Sequence, residues 1–255
     1  MSESVDQSDI SAGLRSLGLR EGHHVLVHSS LSSIGRVDGG AATVVRALLE
    51  VVGPTGTILA PTLTGDENVG PHRRLVFEVD STPGWTGAVS ECLRGWDGAV
   101  RSRHPTHSVA ALGAGAERLT RRHEDCVTPC GAGSPYERLA ADEDGVILLL
   151  GCDHESNTTW HHVEEVAGVD YHLQPTPVRA EIRDPDGTTF RDLWVHRYGT
   201  PRNFGAIEGL LQQRGHQVEG SVGGAVARLL SAAGAVSVGL QVLQADPAFF
   251  VGDPE

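Results

Sequence analysis

The segment 153–165, with the sequence DHESNTTWHHVEE, is the part of this 255-residue chain that is richest in side chains able to transfer protons. Asn157 is predicted to cap a helix, which places His161 and Glu164 three residues apart on one helical face, with Glu165 as a further neighbour. A histidine beside a carboxylate has the composition of a general base, because the carboxylate orients the ring and stabilises its charged form. A solvated acidic helix face would explain the glutamates but not the histidine. The spacing therefore predicts a general-base pair of His161 and Glu164.

A metal site is the alternative interpretation of the same segment. Histidine and glutamate at helical spacing also bind zinc, and a zinc-dependent hydrolase would use His154, His161 and Glu165. The segment contains no HExxH motif, however, and one helix provides only two good ligands. Cys126 and Cys130 are four residues apart, but the sequence has no second ligand pair near them. The general-base interpretation is favoured, and no metal is expected.

Two further stretches have side chains suited to an anionic ligand. The Ser/Gly-rich stretch 29–40 follows a predicted strand, and its small residues let backbone N–H groups approach a ligand closely. It is neither a GxGxxG motif nor a P-loop, so no nucleotide follows from it. The stretch 101–108, RSRHPTHS, combines arginines and hydroxyls, which suit phosphate oxygens. An ordinary connecting loop is the alternative interpretation of each stretch.

The apolar pattern predicts the elements that would position these side chains. A strand at 23–28, a helix at 41–52 and a strand at 57–60 form a βαβ unit, and the run VILLL at 146–150 is typical of a strand buried on both faces. We expect an α/β fold in which helices flank a central mixed, partly parallel sheet, with residues 1–255 as one domain. Further helices are predicted at 8–18, 86–93, 116–123, 158–167 and 204–214, and another helix is predicted to begin at 134. A strand is predicted at 108–112, and the segments 178–182 and 189–195 are predicted to form a hairpin around DPDG. The stretch 63–85 is predicted to be a functional loop. Helix and strand are not distinguishable by period at 222–243.

Composition excludes several classes of function. The formal net charge is −13, and all 20 basic residues are arginine, so lysine nucleophiles are excluded. An acidic surface repels phosphate, which argues against a nucleic-acid partner, and it suits a cationic ligand instead. The N-terminus has no signal-peptide pattern and no apolar run is long enough to span a membrane. We therefore expect a cytoplasmic protein with reduced cysteines.

Several blocks of the sequence, in the same order, resemble the aminoglycoside 3-N-acetyltransferases. They begin with HSSLSSIGRVDGGAATVVRALLEVVGPTGTILAPT at 28–62 and continue with RSRHPTHSVAALG at 101–113. GAGSPYERL at 131–139, ILLLGCDHESNTTWHHVEE at 147–165 and the tail at 203–250 complete the set. The resemblance implies acetyl transfer from acetyl-CoA to the 3-amino group of a 2-deoxystreptamine ring, and hence resistance to aminoglycosides. It also implies an α/β fold distinct from the GNAT fold of other antibiotic N-acetyltransferases.

The resemblance also implies roles for individual residues. His161 and Glu164 fall on the family's base region, with Thr158 beside them and the first histidine, His28, implicated in activity. The coenzyme contacts implied or proposed on this basis are Ser29, Ser30, Leu31, Ser32, Arg36, Arg101, His104, Thr106, His107 and Ser108, with Arg103 as a further candidate for the phosphates. The proposed contacts to a polycationic substrate are Asp66, Glu67, Asp153, Glu155, Asn157 and Glu165.

The chemistry expected of these residues is direct transfer. A substrate amine is mostly protonated near neutral pH and must lose a proton before it attacks the thioester, so His161 is predicted to act as general base with Glu164 orienting it. Backbone N–H groups at Ser29 to Leu31, together with His28 or Thr158, are candidates to stabilise the oxyanion. No acyl-accepting nucleophile stands out, which favours a ternary complex.

Three alternatives remain open at this stage. The same chemistry could act on a housekeeping or biosynthetic amine instead of an aminoglycoside. A zinc-dependent hydrolase is a second alternative, and a homologue that binds coenzyme A or drug without catalysis is a third. A homodimer is also left open.

Overall fold

A computed structural model describes residues 4–66, 68–70 and 73–252. The ten strands are β1 His24–Ser29, β2 Thr57–Pro61, β3 Leu75–Glu78, β4 Val100–Arg101, β5 Val109–Gly113, β6 Gly145–Leu150, β7 Val178–Asp184, β8 Gly187–Leu193, β9 Gln217–Val222 and β10 Ala225–Ser231. The α-helices are α1 Gln7–Leu17, α2 Leu31–Ile34, α3 Ala41–Val52, α4 Ala88–Arg94, α5 Ala116–Thr120, α6 Pro135–Ala140, α7 Thr159–Ala167, α8 Glu208–Gln213 and α9 Ala232–Ala245. Short 3₁₀ turns cover His123–Asp125, His154–Ser156 and Phe204–Ile207.

Seven strands form the main sheet, in the order β4-β5-β2-β1-β6-β10-β9. The three central strands β2, β1 and β6 are parallel, while β5 and β10 join them in antiparallel orientation. Helices cover both faces, and the buried apolar residues form one large cluster on each side. This arrangement confirms the predicted α/β fold with a mixed, partly parallel sheet.

The βαβ unit forms because its apolar residues follow the period of a helix in α3 and the pattern of buried strands on either side of it. Helix α3 buries Val44, Leu48 and Val51 on one face and ends at Gly53, whose φ of +64° suits a residue without a side chain. All six residues of β6 are buried, as the continuous apolar run predicts. Each fully buried leucine there contributes about 1.5–3 kcal/mol of transfer free energy.

The cap of helix α1 is Asp6, two residues before the first residue of the predicted Ser8/Asp9 cap. The carboxylate of Asp6 accepts a hydrogen bond from the backbone N–H of Asp9, and the Asp9 carboxylate accepts one from the Asp6 N–H. This reciprocal pairing is a capping box built from two aspartates. The helix ends at Gly18, as predicted.

Three other predictions of local structure were wrong or incomplete. The loop 63–85 contains β3, which pairs with β7 in a second sheet ordered β3-β7-β8. The helix predicted at 116–123 ends at Thr120, because Arg121 turns to an extended conformation and Arg122 has a φ of +54°. The ambiguous stretch 222–243 is the end of β9, then β10, then most of α9. No helix among the described residues is long and apolar enough to cross a membrane.

Candidate active site

A cavity of about 440 Å³ opens where the three parallel strands end. His28 and Ser29 close β1, Pro61 closes β2, and the turn after β6 contributes residues 155–158. Parallel strands bring their carboxyl ends to the same edge, which is where α/β folds bind ligands. Leu63 and residues 85–87 cover the other side, with Trp85 at the rim and 62% exposed. The cavity therefore unites segments that lie far apart in sequence.

His161 and Glu164 lie on the face of α7 that borders this cavity. The His161 Nδ1 atom is 2.9 Å from Glu164 Oε2, so the contact expected from the three-residue spacing is present. The His161 side chain keeps 26% of its surface exposed, while that of Glu164 is completely buried. His161 thus presents its ring to the cavity and rests on a carboxylate that solvent does not reach.

Two residues that the sequence did not single out also hold Glu164. The guanidinium Nε of Arg202 donates to Glu164 Oε1 over 2.6 Å, and the Nδ1 atom of His172 is 2.9 Å from Glu164 Oε2. Arg202 in turn stacks over the ring of Tyr171, with 4.5 Å from Cζ to the centroid. Glu164 therefore contacts three groups able to donate hydrogen bonds, only one of which faces the cavity.

These contacts, together with burial, set the charge states of Glu164, His172 and His161. Burial alone would raise the pKa of Glu164, but its contacts with His161 and His172 outweigh burial and hold the pKa well below its usual range. Burial opposes charge on His172, yet its contacts with Glu164 and Glu165 raise the pKa above 6.5. For His161, burial outweighs the contact with Glu164 and lowers the pKa. Glu164 is thus ionised, and His161 is neutral at physiological pH, which a proton acceptor must be.

His28 faces the same cavity as a neutral ring. Burial, with small contributions from His154 and His161, lowers the pKa of His28 to about 3. The Nε2 atom is buried and has no hydrogen-bond partner in the protein. A buried polar atom without a partner costs free energy unless a ligand supplies one. His28 is therefore suited to bind a polar ligand atom but not to take up a proton.

Asn157 and Thr158 line the cavity at the start of α7. Thr158 occupies the cap position, and the side-chain oxygen of Asn157 accepts a hydrogen bond from the Thr159 N–H over 3.1 Å. The amide nitrogen of Asn157 is buried and without a protein partner. The cap is thus one residue later than predicted, although the Asn157 side chain still binds a backbone N–H of the first turn and leaves a donor for a ligand.

Glu165 does not reach the cavity, contrary to the prediction of a substrate contact. Its carboxylate accepts from the backbone N–H of Cys130 over 2.9 and 3.0 Å and lies 2.8 Å from His196 Nε2. The side chain is only 2% exposed. Because α7 turns 100° per residue, Glu165 points into the protein beside Glu164.

The stretch 101–108 is also an internal structure. All three guanidinium nitrogens of Arg101 bond to the protein, with Thr62, Val79, Thr82 and Ser108 as acceptors, so most of the group is committed to internal contacts. Arg103 pairs with Asp184 over 2.6 Å. His104, Thr106, His107 and Ser108 are all buried and absent from the lining of the main cavity. The coenzyme contacts predicted in this stretch therefore lie outside the cavity that contains His161, and they stay a prediction.

The remaining predicted residues lie in different environments, and among those that the structure describes only Ser29 lines the cavity. Ser29 lines the cavity, while the Ser30 hydroxyl bonds to those of Ser32 and Ser33 in the following turn. Leu31 packs against the core, and Arg36 is exposed. Asp66 pairs with Arg73 over 2.7 Å, which neutralises its charge. Glu67 lies outside the described residues.

A second cavity, of about 580 Å³, adjoins the first and is lined by three carboxylates, Asp153, Glu155 and Glu208, and by Arg228, which pairs with Glu208. Glu155 contributes to both cavities, and one of its oxygens accepts from the Gly205 N–H over 2.9 Å. Burial raises its pKa. Two of the predicted substrate contacts, Asp153 and Glu155, therefore lie together at the boundary between the two spaces.

The zinc-hydrolase alternative fails on geometry. His154 is fully buried, and its two ring nitrogens bond to Gln217 and Trp160. Glu165 is engaged by Cys130 and His196 and does not line the cavity. The three proposed ligands are not brought together in the part of the chain that the structure describes.

The number of histidines is the one indication of the residues that were missed. Thirteen histidines is a high count, and the rings of His107, His172 and His196 contact that of His161 with centroids 4.7–6.3 Å from its own. The count predicts that histidines matter, but not which of them meet. Arg202 had no local signal, because its contact with Glu164 spans 38 residues.

The fold and the site agree with one family. The chain matches the family model described as aminoglycoside 3-N-acetyltransferase over residues 26–244, and it therefore belongs to that family. Among curated proteins it is similar to aminoglycoside N(3)-acetyltransferase IX of Micromonospora chalcea, with 37% identity over 182 residues. That match covers 65% of this chain and 63% of the relative.

Solved structures of similar proteins extend the likeness to the whole fold. AAC-IIIb, solved as a binary complex with CoASH, is 27% identical and has a TM-score of 0.83 over 99% of this chain and 100% of its own. AAC-VIa bound to sisomicin is 29% identical and has a TM-score of 0.82 over 95% of this chain and 98% of its own. One relative thus binds the free coenzyme and another an aminoglycoside.

Proposed function

We propose that this protein transfers an acetyl group from acetyl-CoA to the 3-amino group of the 2-deoxystreptamine ring of an aminoglycoside, and thereby confers resistance. The observation that carries the proposal is the neutral His161 ring, held 2.9 Å from an ionised Glu164 at the wall of the cavity. Family membership supports the reaction class, and the sisomicin complex of a relative supports the substrate class.

His161 acts as the general base in this proposal. Its free ring nitrogen removes one proton from the substrate ammonium, and the amine nitrogen then bonds to the thioester carbonyl carbon. The carbon–sulfur bond breaks, and the leaving thiolate takes up a second proton from that nitrogen, which yields the amide and the free coenzyme thiol. Glu164 stabilises the imidazolium that forms, because it already accepts a hydrogen bond from Nδ1. A positioned base of this kind contributes about 10²–10⁴-fold to the rate.

The residues around the cavity fit an acyl donor with amide and carbonyl groups. Acetyl-CoA supplies the activated acetyl group when it is bound. Two buried polar atoms at the cavity wall, His28 Nε2 and Asn157 Nδ2, have no protein partner and match such groups. His28, which stays neutral, is the proposed donor to the carbonyl oxygen as that oxygen becomes negative.

The adjoining acidic cavity is the proposed site for the aminoglycoside. Asp153, Glu155 and Glu208 line it, and Glu155 also borders the cavity that contains His161. Carboxylates bind ammonium groups by charge-assisted hydrogen bonds. A polycation held there would direct one amine towards His161 while the acyl donor occupies the first cavity, which is the ternary arrangement that direct transfer needs.

Glu155→Gln is expected to raise the KM for the aminoglycoside about tenfold, the equivalent of about 1.4 kcal/mol for one partly exposed charge-assisted contact. The KM for acetyl-CoA should stay within about twofold. Glutamine keeps the acceptor for the Gly205 N–H, so the fold should be preserved. Steady-state kinetics with each substrate varied in turn measures both constants.

Glu143→Gln is the matched control for this prediction, because it removes the same charge from an exposed residue just before β6, at the opposite end of the strand from the site. An unchanged aminoglycoside KM in Glu155→Gln, or an equal rise in both variants, would remove Glu155 from the substrate site.

A thiol-release assay tests the proposed function. The full chain is mixed with acetyl-CoA and with each of a panel of 2-deoxystreptamine aminoglycosides and simple amines. The proposal expects fast release of coenzyme thiol with the aminoglycosides. Release only with some other amine would preserve the chemistry and overturn the assigned substrate, and no release with any acceptor would contradict the enzymatic proposal.

A further inference from the structure

A group of soft ligand atoms lies behind the catalytic pair. One ring nitrogen of His107, one of His196 and the sulfur of Cys130 are all within 4.8 Å of one another, and all three side chains are buried. They come from three separate segments: the loop before β5, the loop before α6 and the segment after β8. The fold therefore assembles this group, which no local spacing in the sequence reveals.

The same three residues are braced by hydrogen bonds. The Glu165 carboxylate accepts from the backbone N–H of Cys130 and lies 2.8 Å from His196 Nε2. His107 Nδ1 is 2.9 Å from the Thr106 hydroxyl. Each imidazole is thus held through one nitrogen and retains a second. A carboxylate or hydroxyl that fixes the ring of a histidine is what orients metal-binding histidines in proteins.

We propose that His107, Cys130 and His196 bind a thiophilic divalent cation of the Zn²⁺ type. A thiolate with two imidazoles is a ligand set that Zn²⁺ prefers, and three protein ligands leave the fourth position to water. Binding releases the Cys130 thiol proton to solvent and replaces water on the ion with the three protein ligands. The negative charge of Glu165 beside two of the ligands favours a cation at this position.

A second set of ligand atoms competes for His196. His161, His172 and His196 also have ring nitrogens within 4.8 Å of one another. An ion held there would occupy the proposed base, whereas an ion on Cys130 leaves His161 free. The proposal assigns the cation to the set that contains the thiolate, because sulfur is the softest ligand available. Whether Cys130 binds the cation therefore distinguishes the proposed site from the set of three histidines.

Titration of the full chain with Co²⁺ tests the proposal, because a thiolate bound to Co²⁺ produces a charge-transfer absorption in the near ultraviolet. The wild-type chain is expected to develop this band with one equivalent of Co²⁺ and to lose it when Zn²⁺ is added. Cys130→Ser should abolish the band. Glu165→Gln should weaken binding by about 10–100-fold, the usual effect of removing such a bracing group.

Cys126→Ser is the matched control, since Cys126 is a second buried, free cysteine four residues away that is not part of the group. It should retain the band. To separate lost binding from lost folding, thermal unfolding is followed with and without Zn²⁺: the ion should raise the midpoint of the wild type and of Cys126→Ser but not of Cys130→Ala.

Absence of the band in the wild type, or its persistence in Cys130→Ser, would overturn the proposal. Loss of the band in Cys126→Ser alone would do the same. The readout is the absorbance of the metal, so its result is independent of whether the chain acetylates aminoglycosides.

Discussion

His161→Ala is expected to lower kcat by about 10²–10⁴-fold, the contribution of a general base, while the affinity for coenzyme A changes little. The ring borders the cavity and is 26% exposed, so the substitution removes the proton acceptor from the cavity wall and not a side chain from the apolar core. Glu164 keeps Arg202 and His172 as partners. The fold should therefore survive the substitution.

The measurement is the rate of thiol release, combined with calorimetric titration of coenzyme A. His24→Ala is the matched control, because His24 begins β1 at the end opposite the cavity and should leave kcat nearly unchanged. If His161→Ala retains more than a tenth of the wild-type kcat, His161 is not the base.

Glu164→Gln is expected to destabilise the folded protein by about 3–5 kcal/mol, because it removes one partner of a buried ion pair and leaves the other charge without compensation. The charge left behind is mainly that of Arg202, whose Nε lies 2.6 Å from the carboxylate and whose side chain is only 12% exposed. Burial opposes charge on His172 while Glu164 and Glu165 raise its pKa, so the substitution also removes one of the two contacts that favour the charged ring. Denaturant unfolding measures the difference in free energy.

The pH dependence of that difference has a defined sign. The folded-state pKa of Glu164 is lowered from 4.5, so its contribution is present above 4.5 and is lost as the pH falls below it. The folded-state pKa of His172 is raised from 6.5, so its contribution is full below 6.5 and is lost as the pH rises through the raised value. The stability advantage of the wild type over Glu164→Gln should therefore be largest between pH 4.5 and 6.5. A difference that does not vary with pH would contradict these charge states.

The same variant is expected to change the pH profile of the rate. Burial lowers the pKa of His161, and the contact with Glu164 offsets part of that decrease. Without that carboxylate, the His161 pKa falls further, and the acidic limb of the kcat profile should move to lower pH as the maximum rate decreases. Glu143→Gln, which removes an exposed carboxylate far from the site, should shift neither the limb nor the stability. An unchanged profile in Glu164→Gln would remove Glu164 from the mechanism.

Local patterns predicted the parts of the fold that depend on local physics. The βαβ unit around α3 and the hairpin around DPDG were found from apolar period and turn chemistry, and both are present with shifts of a few residues at their ends. Strand β3 was missed because its four residues have no partner nearby and pair with β7 about a hundred residues later. The pattern of a short strand carries too little information to predict such a pairing.

The candidate site also contains residues that a local pattern predicts and residues that only the folded chain brings together. His161 with Glu164 follows from helical spacing alone, and the contact is present. Arg202 and His172 complete the environment of Glu164 from separate loops, and only the folded chain brings them there. Arg101 is the opposite case, because its type suggested a phosphate contact whereas the structure uses its guanidinium to join the segments around Thr62 and Thr82.

The position of the acetyl group on the product tests the central claim most directly. A 2-deoxystreptamine aminoglycoside such as sisomicin is incubated with the full chain and acetyl-CoA, and the product is analysed by mass spectrometry and two-dimensional NMR. The proposed function predicts one added acetyl group, located on the 3-amino nitrogen. An unmodified drug, or an acetyl group on any other nitrogen or on an oxygen, would contradict it.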